Sequence, residues 1–186
     1  MSYWAVGQSA PPSRATLKEL LRESTEAPAP EGYRCPNGEC GRVGSSARYM
    51  KLLRLPATLI LHINRAQADG GRCETVLEFD GSIDLAQMGL VAHFGQPLDR
   101  DLEGCATRYH LTAVVFHRGA TARSGHYFSY VLFGGEWLRL DDEKVTRPER
   151  DTDSTPMAFE ASQAAGGARA TLLFYERETP SMRMER

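Results

Sequence analysis

An α+β fold, mainly antiparallel β-sheet with two short helices, is what this chain encodes. Two successive stretches rich in β-branched and aromatic residues, Tyr109 to His117 and His126 to Phe133, and a third around Trp137, Glu136 to Leu140, are separated by Gly-containing turns. That is the pattern of an antiparallel meander joined by hairpins. Helix signals occur in two places, each opened by a threonine able to cap free amides, Thr16 and Thr155. A chain of 186 residues with 41% hydrophobic residues buries one ordinary core and needs no second domain.

Residues 1–15 mix Gly, Ser and Pro with a few aromatics and have no periodicity, so they are expected to form an extended N-terminal arm. The folded domain is expected over residues 16–178, followed by a frayed tail over 179–186. In Thr16-Leu17-Lys18-Glu19 the threonine can cap the first amides while Glu19 reaches back, a capping box. Leu17, Leu20 and Leu21 supply the buried stripe of that helix, and Ala27-Pro28-Ala29-Pro30 ends it. Arg48 to Leu55 reads as a strand stopped by Pro56, and Thr58 to Ile63, apolar on both faces, as a central strand. A weaker strand is expected over Glu74 to Phe79, then mainly loop to about Thr107. After the meander, Thr155-Pro156 opens the second helix to about Ala164, Gly166-Gly167 stops it, and Ala170 to Glu176 is a last strand. The chain contains no internal repeat.

Lys plus Arg total 22 against 24 acidic residues, a net charge of -2 that leaves no electrostatic footprint for nucleic acid or an anionic membrane. No apolar run approaches the roughly 20 residues that span a bilayer. Neither a nucleic-acid partner nor direct membrane insertion is therefore expected. Four cysteines, Cys35, Cys40, Cys73 and Cys105, are too few and too scattered for a disulfide framework. Their usage fits an intracellular, reducing compartment, without distinguishing cytoplasm, nucleus and organelle matrix. Cys35 and Cys40 flank Pro36-Asn37-Gly38-Glu39, a turn that either aims two thiolates at one zinc ion or carries two free thiols. A closed zinc site takes four ligands, and no second close Cys or His pair occurs. These two are the only metal candidates, weak ones, and no cofactor is expected.

The chemistry-bearing block runs from Tyr109 through Ser124-Gly125-His126-Tyr127 to Trp137-Leu138-Arg139-Leu140-Asp141-Asp142. It puts a histidine at the start of one strand and a carboxylate pair at the end of the next, and in an antiparallel pair those ends are neighbours. Asp141 can then accept a hydrogen bond from one ring nitrogen of His126, fixing the tautomer and leaving the other nitrogen as a base. Such a pair is two thirds of a nucleophile, base and orienter triad. Gly125 lets backbone approach closely and leaves room for a substrate chain beside the ring.

In order along the chain, these motifs resemble the C-terminal, palm and fingers part of the ubiquitin-specific proteases, which are cysteine deubiquitinases. The matching residues are Tyr33-Arg34-Cys35, then Leu55-Pro56 and Thr58 to Arg65, then Tyr109 to Gly119, Ser124-Gly125-His126-Tyr127, Trp137 to Asp142, and finally Leu172-Leu173-Phe174-Tyr175. The resemblance runs from about Thr16 to Arg177 and implies a palm-like sheet. By position it implies His126 as general base, Asp141 as its orienting carboxylate, and Asp142 as a polar neighbour that helps position water or the oxyanion. Tyr127 is implied to lie along the groove that receives the ubiquitin tail. Trp137 is expected to pack, His117 to be structural, and His62 to be a satisfied core histidine.

The family's nucleophile sits in an Asn-x-x-Cys-Tyr box of a thumb subdomain, and no such box occurs in these residues. The Cys35/Cys40 pair has four intervening residues where the family has two, and the other finger pair is absent. The expectation is a domain inactive on its own that serves as a scaffold or interaction subunit. The alternative is the C-terminal half of a split or longer active deubiquitinase, hydrolysing ubiquitin C-terminal isopeptide bonds with a cysteine from another segment or chain. A palm without its thumb exposes an apolar face. The expected partners are therefore a protein covering that face and, for the groove, ubiquitin.

Overall fold

The first helix forms where its cap predicts. In a computed structural model that describes residues 12–28, 32–44, 47–91, 107–121, 124–148 and 166–178, α1 spans Leu17–Thr25. The Glu19 amide donates to Thr16 Oγ1 at 3.2 Å and the Thr16 amide to Glu19 Oε2 at 2.8 Å, closing the capping box. Leu17 and Leu20 are buried and Leu21 partly so. Just before it, β1 (Arg14–Thr16) pairs in parallel with β5 (Val76–Glu78), so the end of the expected arm is sheet. A second small pair joins β2 (Glu26–Pro28) to β3 (Ala47–Tyr49).

Among the described residues the main sheet has seven strands. They are β4 (Thr58–His62), β6 (Ser82–Asp84), β7 (Arg108–Arg118), β8 (His126–Phe133), β9 (Glu136–Asp141), β10 (Lys144–Thr146) and β11 (Ala168–Arg177). Their order is β10-β9-β8-β7-β11-β4, with β6 against β7. The expected meander is thus β7-β8-β9, antiparallel throughout. Its second hairpin turns on Gly134 and Gly135, with φ of 58° and 80°. Two left-handed residues in a two-residue loop match the twist of the flanking strands and suit glycine alone without cost.

The two faces of this sheet differ. Val114, Phe116, Phe128, Tyr130, Leu173 and Tyr175 point to one face and are almost wholly buried. They pack with Leu17, Leu20, Leu77, Phe79, Ile83 and Leu85 in one core. Full burial of side chains this size stabilises by about 1.5–3 kcal/mol each. The hydroxyls of buried Tyr109 and Tyr175 donate to the carbonyls of Pro56 at 2.7 Å and Asp80 at 2.8 Å, so neither polar tip is left unsatisfied. The other face carries Ile60, Leu172, Phe174, Val115, Val131, Leu138, Leu140 and Phe133, brought together by the register. All of these are half-buried or exposed.

Several expectations change. Among the described residues Thr58–His62 is an edge strand, not a central one, and its residues alternate exposed and half-buried. His62 is accordingly exposed rather than a core histidine. Of the expected strand from Arg48 to Leu55 only Ala47–Tyr49 is one; Leu52 makes a single bridge to Val91, and Met50 and Leu53 are exposed. The stretch read mainly as loop after Phe79 contains β6, and β10 follows Asp141 where no strand was expected. Both are three-residue strands whose existence depends on a partner rather than on their own pattern. The expected helix from Thr155 to Ala164, the tail from 179, residues 1–11 of the arm, and Cys105 lie outside the described residues.

Candidate functional site

The register fixes which side chains meet. Ser129 pairs with Leu140, so one step further Asp141 falls on the sheet face of Phe128, and His126, two residues from Phe128, shares it. His126 Nε2 donates to Asp141 Oδ1. Arg139 Nη2 donates to the other carboxylate oxygen, Asp141 Oδ2, at 2.5 Å. Arg139 stands two residues before Asp141 on the same strand face, with its guanidinium 4.6 Å from the centre of the Phe128 ring. Arg118, the cross-strand partner of His126, lies 5.3 Å from the same ring. Thus one carboxylate is held at both oxygens, and among the described residues His126 Nδ1 has no hydrogen bond. The His126 hydrogen bond, then the Arg139, His126 and Arg118 charges, hold the Asp141 carboxyl below the usual carboxylate range against the opposing effect of desolvation.

Asp142 begins the two-residue turn into β10 with φ of 54°, a left-handed conformation that aspartate tolerates better than most residues. Its carboxylate, exposed, comes within 4.8 Å of ligand atoms of His126 and Asp141. Asp141 is already committed to an imidazole and a guanidinium, so His126, Asp141 and Arg139 form a hydrogen-bonded network with Asp142 beside it.

A pinched neck places His126. Between β7 and β8, a Cβ on Gly119 would lie 2.2 Å from the Ser124 carbonyl oxygen, and one on Gly125 would lie 2.3 Å from both the Arg118 carbonyl oxygen and His117 Nε2. Only glycine fits at either position, which brings the two chain ends together over the buried His117 ring. Arg72, also buried, donates to the carbonyls of His117 at 2.9 Å and Gly167 at 2.8 Å and pairs with Glu74. Burial, and then the Arg72 charge, lower the pKa of His117. Tyr127 leaves the opposite sheet face, 56% exposed, with its ring centre 4.6 Å from that of His117. Both line a groove of about 320 Å³ with His62, Asn64, Arg72 and Leu172. Trp137 is half-buried against the core.

His126, Asp141 and Asp142 therefore meet, Gly125 and Tyr127 adjoin His126 along the chain with Tyr127 on the opposite sheet face, and the described cysteines, Cys35, Cys40 and Cys73, stand elsewhere. Cys73 is buried, its thiol 3.3 Å from Thr75 Oγ1. Cys35 and Cys40 flank a turn in which the Cys40 and Gly41 amides donate to the Asn37 carbonyl at 3.0 and 3.1 Å, and both are free thiols. Among the described residues no third His, Cys or carboxylate joins them. Arg139 and Arg72 were not singled out from the sequence. Period-2 spacing from Asp141 would have found Arg139, whereas the nearby Glu74 does not reveal that Arg72 reaches backbone carbonyls 45 and 95 residues away.

A family model described as ubiquitin carboxyl-terminal hydrolase matches residues 17–175. Among curated relatives, mouse ubiquitin carboxyl-terminal hydrolase 17-like protein D is 32% identical over 126 residues, covering 67% of this chain and 21% of its own length. Ubiquitin carboxyl-terminal hydrolase 21 of Arabidopsis thaliana is 31% identical over 148 residues, covering 77% of this chain and 17% of its own length. The chain thus spans about a fifth of the curated relatives it matches. The SAGA Ubp8/Sgf11/Sus1/Sgf73 DUB module bound to ubiquitin aldehyde superposes with a TM-score of 0.61 at 21% identity, over 88% of this chain and 34% of that one. At that identity the superposition speaks for the fold, which is the mainly antiparallel α+β fold of those structures.

Proposed function

The chain belongs to the ubiquitin carboxyl-terminal hydrolase family, and from that premise we propose that it carries the base-and-carboxylate half of a ubiquitin isopeptidase site. The observation that carries this reading is the His126 to Asp141 hydrogen bond, braced by Arg139, with Nδ1 left over. In the proposed reaction Nδ1 of His126 takes the proton of a cysteine thiol, and the thiolate attacks the carbonyl of the ubiquitin C-terminal glycine. The protonated ring then gives that proton to the leaving lysine amine, and water, deprotonated at Nδ1, releases the acyl group. Asp141 keeps the ring oriented throughout, and Asp142 supports water or the oxyanion. Tyr127 and Gly125 border the path of the ubiquitin tail. The cysteine comes from a segment outside these 186 residues or from another chain, so the chain by itself performs no thiol hydrolysis.

The scaffold reading keeps the same domain without turnover. It is favoured by the half-exposed sheet face around Ile60 and Phe133, a surface suited to a protein partner in either case. One experiment separates them. Ubiquitin bearing a thiol-reactive C-terminal group is added to the 186-residue chain alone and to the native assembly isolated through it. No adduct is expected on the isolated chain, and an adduct on a cysteine outside it, lost in His126→Ala, is expected in the assembly. Labelling unaffected by His126→Ala, or no labelling in the assembly, leaves the scaffold reading. An adduct on Cys35, Cys40, Cys73 or Cys105 that requires His126 overturns both.

A further inference from the structure

Asp141 sits at the end of β9, beside a tight turn, where its carboxylate can rotate about its last torsion. A lone hydrogen bond to His126 does not choose between rotations, because either oxygen serves as an acceptor. Arg139 removes that freedom: its Nη2 meets Oδ2 at 2.5 Å, which leaves Oδ1 to the imidazole. The guanidinium itself lies over the Phe128 ring, 4.6 Å from its centre, and Phe128 is buried in the core. A planar, two-pronged cation lying over a fixed ring is a firmer support than a lysine ammonium. The chain of support thus runs from the core through Phe128, Arg139 and Asp141 to His126.

We propose that Arg139 is a positioning residue that locks the Asp141 carboxylate and so holds His126 as the Nε2–H tautomer with Nδ1 free. The kinetic consequence rests on the isopeptidase reading above; the tautomer does not. Nitrogen-15 NMR of the His126 ring in the 186-residue chain, at a pH where the ring is neutral, reads the tautomer directly. A single Nε2–H form is expected in the wild type, a mixture of the two tautomers in Arg139→Met, and partial restoration in Arg139→Lys. Asp141→Asn serves as the control that removes the acceptor carboxylate. Arg139→Gln is the second variant should Arg139→Met fail to fold. A wild-type ring already mixed, or a single Nε2–H form in a folded Arg139→Met or Arg139→Gln chain, overturns the proposal. In a labelled, active assembly, Arg139→Met is expected to lower kcat about tenfold or more with KM little changed, as loss of an outer orienting contact does. An unchanged kcat overturns the role of Arg139 in turnover. An assembly with no activity at all overturns the isopeptidase reading and leaves the NMR result standing.

Discussion

At the scale of single residues, His117 and its two glycines are the most constrained group near the dyad. The ring is 2% exposed and fills space that Cβ atoms at Gly119 and Gly125 would enter. Burial first, and the nearby Arg72 cation second, lower its pKa. Since the unfolded ring titrates near 6.5, the unfolded chain binds more protons than the folded one below that pH. The His117 contribution to stability is therefore full above about pH 6.5 and is lost as pH falls toward the depressed folded value. Chemical denaturation at steps from pH 7.5 to pH 5 is expected to show a decline, and His117→Gln is expected to flatten it even if it lowers stability overall. Equal slopes in the two proteins would mean that the buried ring is not what titrates. At this scale the site was largely legible in the sequence, because hairpin register alone brings His126 to Asp141. The role of Arg72 was not legible, because the acceptors that tie it to the site are backbone carbonyls far along the chain.

Elements are as good as their ends. The threonine at position 16 is both the last residue of β1 and the cap of α1, so one side chain joins the parallel pair to the helix that covers the core. Removing its hydroxyl in Thr16→Ala is expected to cost about 1 kcal/mol. For a domain of this size that is a fall in melting temperature of about 2–4 °C, and Thr16→Ser is expected to recover most of it. A change within error in a thermal melt would place the capping energy elsewhere. Elements with strong internal signals, such as α1 and β8, were readable to within a residue or so. The errors fall where tertiary partners decide. Thr58 to Ile63 has the composition of a buried strand, yet among the described residues it takes the sheet edge, paired with β11 on one side. β6 exists because β7 continues past β8 and offers free backbone at Tyr109 and His110.

At the scale of the molecule, the described residues leave the sheet with one finished face and one unfinished face. Ile60, Phe133 and Val145 are 55%, 73% and 62% exposed. Scattered singly, exposed apolar residues need no explanation. Here the register sets them on the face that also carries Leu172, Phe174, Val115, Val131, Leu138 and Leu140. From strand spacing and rise, such a face covers roughly 400 Å², within the range where the largest patch on a monomer is often functional. The family resemblance led to the expectation of an exposed apolar face, whereas the residues composing this one follow only from register. If the surface serves a partner and not the fold, its outermost side chains contribute little to stability. Ile60→Thr, Phe133→Thr and Val145→Thr together keep β propensity, and each is expected to change stability by no more than about 0.5 kcal/mol. The same triple variant is expected to bind less of an environment-sensitive apolar dye than the wild-type chain and to retain less protein on affinity isolation. Unfolding of the triple variant would mean that these side chains belong to the core. A wild-type chain that binds no dye would mean that the face is covered by the chain's own residues.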